Sequence, residues 1–183
     1  MKDDLRVQRT KKLLKDNFKE MFLEMDYEKI TVKELCEKAM INRRTFYLHY
    51  DSIDDILNEI LNEMAKEFLE YTKDYDHVEN PERIVKDYFM FTSSSPLFEK
   101  LNNNIDYNYL REQINTKVRN FGKDNFKSIH NLNDFKSKMI LTYLNSAAVN
   151  MYRTWCQEGK KVPIEEAINI ASKLITDGLK NNL

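Results

Sequence analysis

The chain has 183 residues, 42% of them hydrophobic and 32% charged, which describes a foldable globular chain and excludes a disordered one. Three glycines and three prolines are too few for a turn-rich β protein, and the length admits one compact domain or a small domain beside a larger one. The net charge of −1 hides an uneven split: residues 1–50 hold twelve Lys and Arg against nine Asp and Glu, a net +3, which leaves −4 for the remainder and points to an anion-binding first third on an acidic body.

From Arg6 the spacing predicts a long helix with Leu14, Phe18, Met21, Phe22 and Met25 as its apolar stripe. Arg6, Arg9, Lys11 and Lys12 cluster near its start and suit phosphate contact or a minor-groove arm. Thr31 followed three residues later by Glu34 is a capping box that starts a helix at Val32, with Val32, Leu35, Cys36 and Ala39 on one face. Asn42 is an N-cap for a second short helix, Arg43 to about His49. Phe46 and Tyr50 lie four apart and face inward, which leaves Arg43, Arg44, Thr45, Tyr47 and His49 pointing out. A short exposed helix with two guanidiniums, a hydroxyl, a phenol and an imidazole suits a DNA major groove, and its N-terminal dipole favours a phosphate.

Asp51-Ser52 caps the next helix, whose apolar face Ile53, Ile56, Leu57, Ile60, Leu61, Met64 and Phe68 continues to about Lys73. That face is too long for a three-helix unit alone, so this helix is expected to link the first unit to the body. The division reads as residues 1–72 and 73–183, with the soft boundary along 65–79. Asn80-Pro81 and Ser95-Pro96 each place an N-cap before a proline at the first helical position. Asp106 opens a helix from Tyr107 to Phe121 that Gly122 is expected to stop, and 123–133 reads as a loop with room for a short helical turn around Phe126. Asn133 or Asp134 opens a long helix ending at Gly159, and Val162-Pro163 with Glu165 and Glu166 starts the last one. On the first of these two, Phe135, Met139, Tyr143, Ala147, Met151 and Trp155 recur beside a strip of Ile140, Leu144, Ala148 and Tyr152. Ile164, Ala167, Ile168, Ala171, Leu174, Ile175 and Leu179 do the same on the second. Faces this wide, with small residues at 147, 148, 167 and 171, can pair with a second copy as a four-helix interface. Glu at Ala148 or Ala171 is then expected to split the dimer.

The segment T-V-K-E-L-C-E-K-A followed by I-N-R-R-T-F-Y-L-H-Y-D-S resembles the helix-turn-helix of the TetR family of bacterial transcriptional regulators, most specifically at R-x-T-F-Y-x-H-Y, Arg43 to Tyr50. The stretch from Tyr143 to Ile175 is similar, more weakly, to the closing segment of one C-terminal type of that family. The resemblance implies an all-α fold of about nine helices, with a three-helix DNA-reading unit joined by a linking helix to a larger helical bundle. It implies a homodimer on an inverted-repeat site in double-stranded DNA, most often repressing, and a pocket in the body for a small apolar or amphipathic effector. Arg43, Arg44 and Thr45 would face base edges, while Tyr47 and His49 hold phosphates with Thr31, Lys33 and Asn42 assisting. Two departures stand out. Met40 replaces the usual Gly of the turn, so the turn is expected to form without a residue free to take positive φ, and Ile53 replaces the usual Lys, which removes one phosphate contact.

Nothing in the residues calls for catalysis, a cofactor or a metal. His49, His77 and His130 have no metal-ligand spacing, His77 and His130 fall in polar connections, and no phosphate loop or nucleophile elbow is present. Cys36 and Cys156 are solitary, without CxxC spacing, and Cys36 reads as a small core residue. No run approaches a membrane span and no apolar leader opens the chain, so a reduced, cytoplasmic setting without membrane contact is expected. A rival reading keeps the fold but has the body bind a protein partner, as a co-activator or interaction module.

Overall fold

The computed structural model describes residues 5–76, 79–130 and 134–180, with side chains described at all of these except 121–130, 134, 179 and 180. Among the described residues all regular structure is helical: α1 (Leu5–Glu24), α2 (Val32–Lys38), α3 (Arg43–Phe46), α4 (Ile53–Tyr71), α5 (Pro81–Ser94), α6 (Pro96–Asn103), α7 (Asn108–His130), α8 (Asp134–Gln157) and α9 (Ile164–Lys180). Single 3-10 turns at Tyr27–Lys29 and Ile105–Tyr107 join neighbours. This is the all-α architecture expected, with no described helix long and apolar enough to cross a membrane. The chain forms two compact units, Met1–Glu63 and Met64–Leu183, and the division falls within α4.

Unit 1 is built on the α1 stripe Leu14, Phe18, Met21 and Phe22, all buried. Leu35, Cys36 and Ala39 of α2, Phe46 and Tyr50, and Ile56, Leu57, Ile60 and Leu61 of α4 complete its core. The capping box is formed in both directions, with Thr31 Oγ1 accepting from the Glu34 N–H at 3.2 Å and the Glu34 carboxylate accepting from the Thr31 N–H at 3.3 Å. Ser52 and Asp55 repeat the device at the start of α4, where the Asp55 carboxylate takes the N–H groups of Asp51 and Ser52 and Ser52 Oγ takes that of Asp55.

The turn after α2 departs from expectation. Met40 takes the left-handed conformation itself, at φ 53. Its N–H donates to the Glu37 carbonyl at 3.2 Å and the Ile41 N–H donates to the Cys36 carbonyl at 2.9 Å, the paired bonds of a Schellman turn. The same turn closes α8, where Gly159 has φ 75 and Lys160 bonds the Trp155 carbonyl. Those two bonds hold Met40 where glycine would rest unstrained; a non-glycine there costs on the order of 1 kcal/mol.

Unit 2 buries Phe68, Val85, Phe89, Leu144, Ala148, Tyr152, Ala171 and Ile175 in one cluster. The two proline devices start α5 and α6 as expected, although only Ser95 caps with its side chain, taking the Phe98 N–H, while the Asn80 amide turns back to the Asp76 carbonyl. Arg111 is buried and caps the end of α6, its Nη1 donating to the carbonyls of Leu101, Asn102 and Asn104 at 2.8, 3.2 and 2.9 Å. Gly178 lies within α9, where the absence of a Cβ leaves room for the Tyr143 hydroxyl of α8.

Two expectations for this unit need correcting, the end of α7 and the use of Ala148 and Ala171 as probes of a dimer. Gly122 does not stop α7, which continues through to His130. A glycine inside a helix costs about 1 kcal/mol but leaves every N–H in place, and no proline follows to break the run. His130 is therefore the last residue of a helix and not part of a polar loop, while His77 and Asn133 lie outside the described residues. The broad face of α8 is also split: Ile140, Leu144, Ala148 and Tyr152 are buried, while Phe135, Met139 and Tyr143 are exposed. Ala148 and Ala171, at 2% and 3% exposure, belong to the core of the unit, so Glu at either would disrupt that core before it could report on a dimer.

Candidate nucleic-acid interface

The segment from Arg43 to Tyr50, the candidate reading segment, depends on its caps. An isolated single turn has no intrinsic stability, since nucleation fixes several dihedrals for one bond. Asn42 supplies the first partner, its Oδ1 accepting the Arg44 N–H at 2.8 Å. The ring of Phe46, fully buried, supplies the anchor, with Tyr50 beside it at 5.9 Å between centroids. Regular α-helix ends at Phe46, earlier than the His49 expected, and the path continues as tight turns in which Leu48 and His49 donate to the carbonyls of Thr45 and Phe46. With four residues α3 carries little macrodipole, so the dipole gives little support to a phosphate at its N-terminus.

The structure leaves Arg43, Arg44 and Tyr47 exposed on this segment and Thr45 and His49 half-buried, all in the outward set that the periodicity assigns. Lys33 is exposed on α2. Thr31 and Asn42 use their side-chain oxygens as caps, so they shape the elements, and Asn42 keeps its amide NH2 as a donor. Arg6 and Arg9 are exposed on the first turns of α1, a separate element. Sequence reasoning passed over Leu48, which is exposed beside Tyr47.

The lysines of α1 divide into two sets. Lys11 and Lys15 turn to α4, where Glu59 accepts from Lys11 at 3.2 Å and from Lys15 at 3.0 Å, and Glu63 also accepts from Lys15. The Tyr50 hydroxyl joins them, donating to Glu59 at 2.9 Å, and the Lys11 ammonium sits 5.1 Å from the Tyr50 ring centroid. Burial alone would raise the Glu59 pKa, but hydrogen bonds from Lys15, Tyr50 and Lys11 outweigh it and hold the carboxyl below its ordinary value. Burial likewise opposes the charge on Lys15, and Glu63 and Glu59 more than restore it. The Tyr50 phenol is pushed up, first by burial and then by the Glu59 carboxylate it donates to, so it stays a donor. This network ties the end of the reading segment to α1 and α4. Lys12, exposed, is left for solvent or an anion.

Among the described residues no three His, Cys, Asp or Glu side chains come together as a metal cage.

Residues 19–60 match the family of bacterial regulatory proteins designated tetR. No curated protein matches the sequence. The fold is similar to that of a TetR transcriptional regulator from Streptococcus agalactiae, at TM-score 0.66 and 20% identity, over 93% of this chain and 95% of that one. It is similar as well to the transcriptional regulator FadR from Bacillus subtilis, solved with stearoyl-CoA, at TM-score 0.62 and 14% identity over 91% and 97%. A third likeness is to DhaS, the dihydroxyacetone kinase operon activator, at TM-score 0.54 and 21% identity over 94% and 97%. The capped turn, the buried Phe46 and the outward arginines thus lie within the segment, residues 19–60, that matches the tetR family, on a chain whose fold is similar to that of a TetR regulator.

Proposed function

We propose that the chain is a sequence-specific, DNA-binding transcriptional regulator of the cytoplasm, a binding protein with no catalytic step. It acts as a homodimer through α8 and α9 on an inverted repeat, repressing until a small apolar or amphipathic effector enters unit 2. The observation that carries this reading is the exposure of Arg43, Arg44 and Tyr47 on a segment whose opposite side is locked into the core by Phe46. Two guanidiniums there can each fork onto a guanine edge, and the phenol can donate to a phosphate. On a two-fold dimer the segments face half-sites about one helical turn apart, roughly 34–36 Å.

Selection of duplexes from a random pool is expected to return an inverted repeat. Arg43→Ala should weaken binding by about 1–3 kcal/mol and relax preference at one position of each half-site. Selected duplexes without symmetry, or an Arg43→Ala variant with unchanged preference, would overturn this assignment.

A second reading keeps the DNA-binding unit but gives unit 2 a protein partner in place of an effector. It is favoured by the cleft lined by Phe68, Tyr88, Phe98, Asn102, Arg111 and Asn145, whose free volume of about 20 Å³ holds little more than one water. An effector bound in this cleft would have to open it; a protein partner need not. Operator DNA and a small molecule that acts as effector should weaken each other's binding by the same factor, typically five- to 150-fold. Titration of fatty acyl and other amphipathic compounds with and without operator measures that factor. A factor of one for every compound that binds would favour the protein partner.

A further inference from the structure

Leu48 is 73% exposed, in a segment where every other outward side chain has a polar group. A lone exposed leucine on a solvated surface is ordinary. This one has company, since Met40 at 93% exposure and Tyr47 are also large, partly or wholly apolar and outward, on either side of Arg43 and Arg44. The backbone fixes its direction. Leu48 donates to the Thr45 carbonyl at 3.3 Å and His49 to that of Phe46 at 2.9 Å, so the chain keeps turning helically past Phe46. At about 100° per residue in the helix and about 120° in the tight turn after it, the positions two before and two after Phe46 project roughly 160° and 120–160° away from its buried ring. Those positions are Arg44 and Leu48. Both are exposed and lie away from the core of unit 1.

The chemistry then narrows what Leu48 can meet. It has neither donor nor acceptor, so it cannot hold a phosphate or satisfy a hydrogen-bonding base edge. In the major groove the apolar feature on a base edge is the C5-methyl of thymine. The neighbouring guanidiniums supply the charge that brings a duplex to this surface. We propose that Leu48 is a specificity-determining residue that packs on a thymine methyl in each half-site. The proposal rests on the DNA-binding reading above.

The test uses the full chain and the duplex selected from a random pool, with each thymine replaced in turn by deoxyuridine in both half-sites. That replacement removes the methyl and leaves every hydrogen-bonding group unchanged. One thymine per half-site is expected to matter, its replacement weakening the unaltered chain by about three- to tenfold. Leu48→Ala should bind the thymine and uracil duplexes equally, and Leu48→Met should restore the difference. Both variants change an exposed side chain, and an unaltered melting temperature verifies that unit 1 is intact. The inference is overturned if no uracil replacement weakens binding, or if Leu48→Ala keeps the full loss. Failure to select any duplex would instead overturn the DNA-binding reading, and this inference with it.

Discussion

The double variant Ile170→Glu, Leu174→Glu is expected to run as a monomer in sedimentation, with unit 2 still folded and affinity for an inverted repeat lowered 10²- to 10⁴-fold. The two side chains are 53% and 57% exposed and one turn apart on α9, so their replacement costs the isolated chain little. They line a groove of about 500 Å³ between α8 and α9, together with Met151, Trp155 and Val162. Phe135, Met139 and Tyr143 extend the exposed apolar surface along α8. A second copy laid on this face by a two-fold axis would cover it in a four-helix packing. Glu at both sites would put four unpaired carboxylates into that contact, each costing several kcal/mol. The loss on DNA follows because each copy would then bind a single half-site without its linked neighbour. A dimer that survives both changes would place the contact on another surface.

Phe46→Ala should destabilise unit 1 by about 3–5 kcal/mol, most of what so small a unit has. The ring is fully buried, and α3 is one turn that cannot stand without it. Its removal frees the reading segment from the core at the point where Arg43, Arg44 and Tyr47 need a fixed direction. Thermal unfolding followed by circular dichroism should show an early helical loss absent from the unaltered chain, with specific DNA binding abolished at temperatures where unit 2 is intact. Phe46→Leu, which keeps most of the volume, should retain part of both. An unaltered melting profile for Phe46→Ala would mean that the caps alone hold the segment.

Local chemistry is what the sequence made legible. The Thr31–Glu34 box, the Asn42 cap and the serine cap before Pro96 are each decided within four residues, and each forms where its spacing places it. The inward pair Phe46 and Tyr50 and the stripe of α1 follow from helical period alone. Positions whose state depends on distant partners were not legible. Lys11 looks like a free cation in a basic run, yet its carboxylate comes from α4, 48 residues away. The broad face of α8 could not be divided into core and surface strips until α5 and α9 were packed on one side of it. Met40 hid a positive φ because residue type argues against it, and only the two hydrogen bonds of its turn reveal it. Leu48 was missed for a different reason: a search for donors and acceptors overlooks a side chain whose whole use is to lack them.

The pairing of Lys11 and Lys15 with Glu59 and Glu63 bears on how a regulator built this way responds to ionic strength. Affinity for a duplex falls with added salt in proportion to the phosphates neutralised, because each displaces a condensed counterion into solution. Cations already matched within the fold displace none. For the proposed DNA complex, the basic start of α1 would therefore contribute fewer released ions than its sequence promises. More of the discrimination would rest on base edges, which salt does not screen in the same way, so preference for the correct site would outlast overall affinity as the medium grows more concentrated.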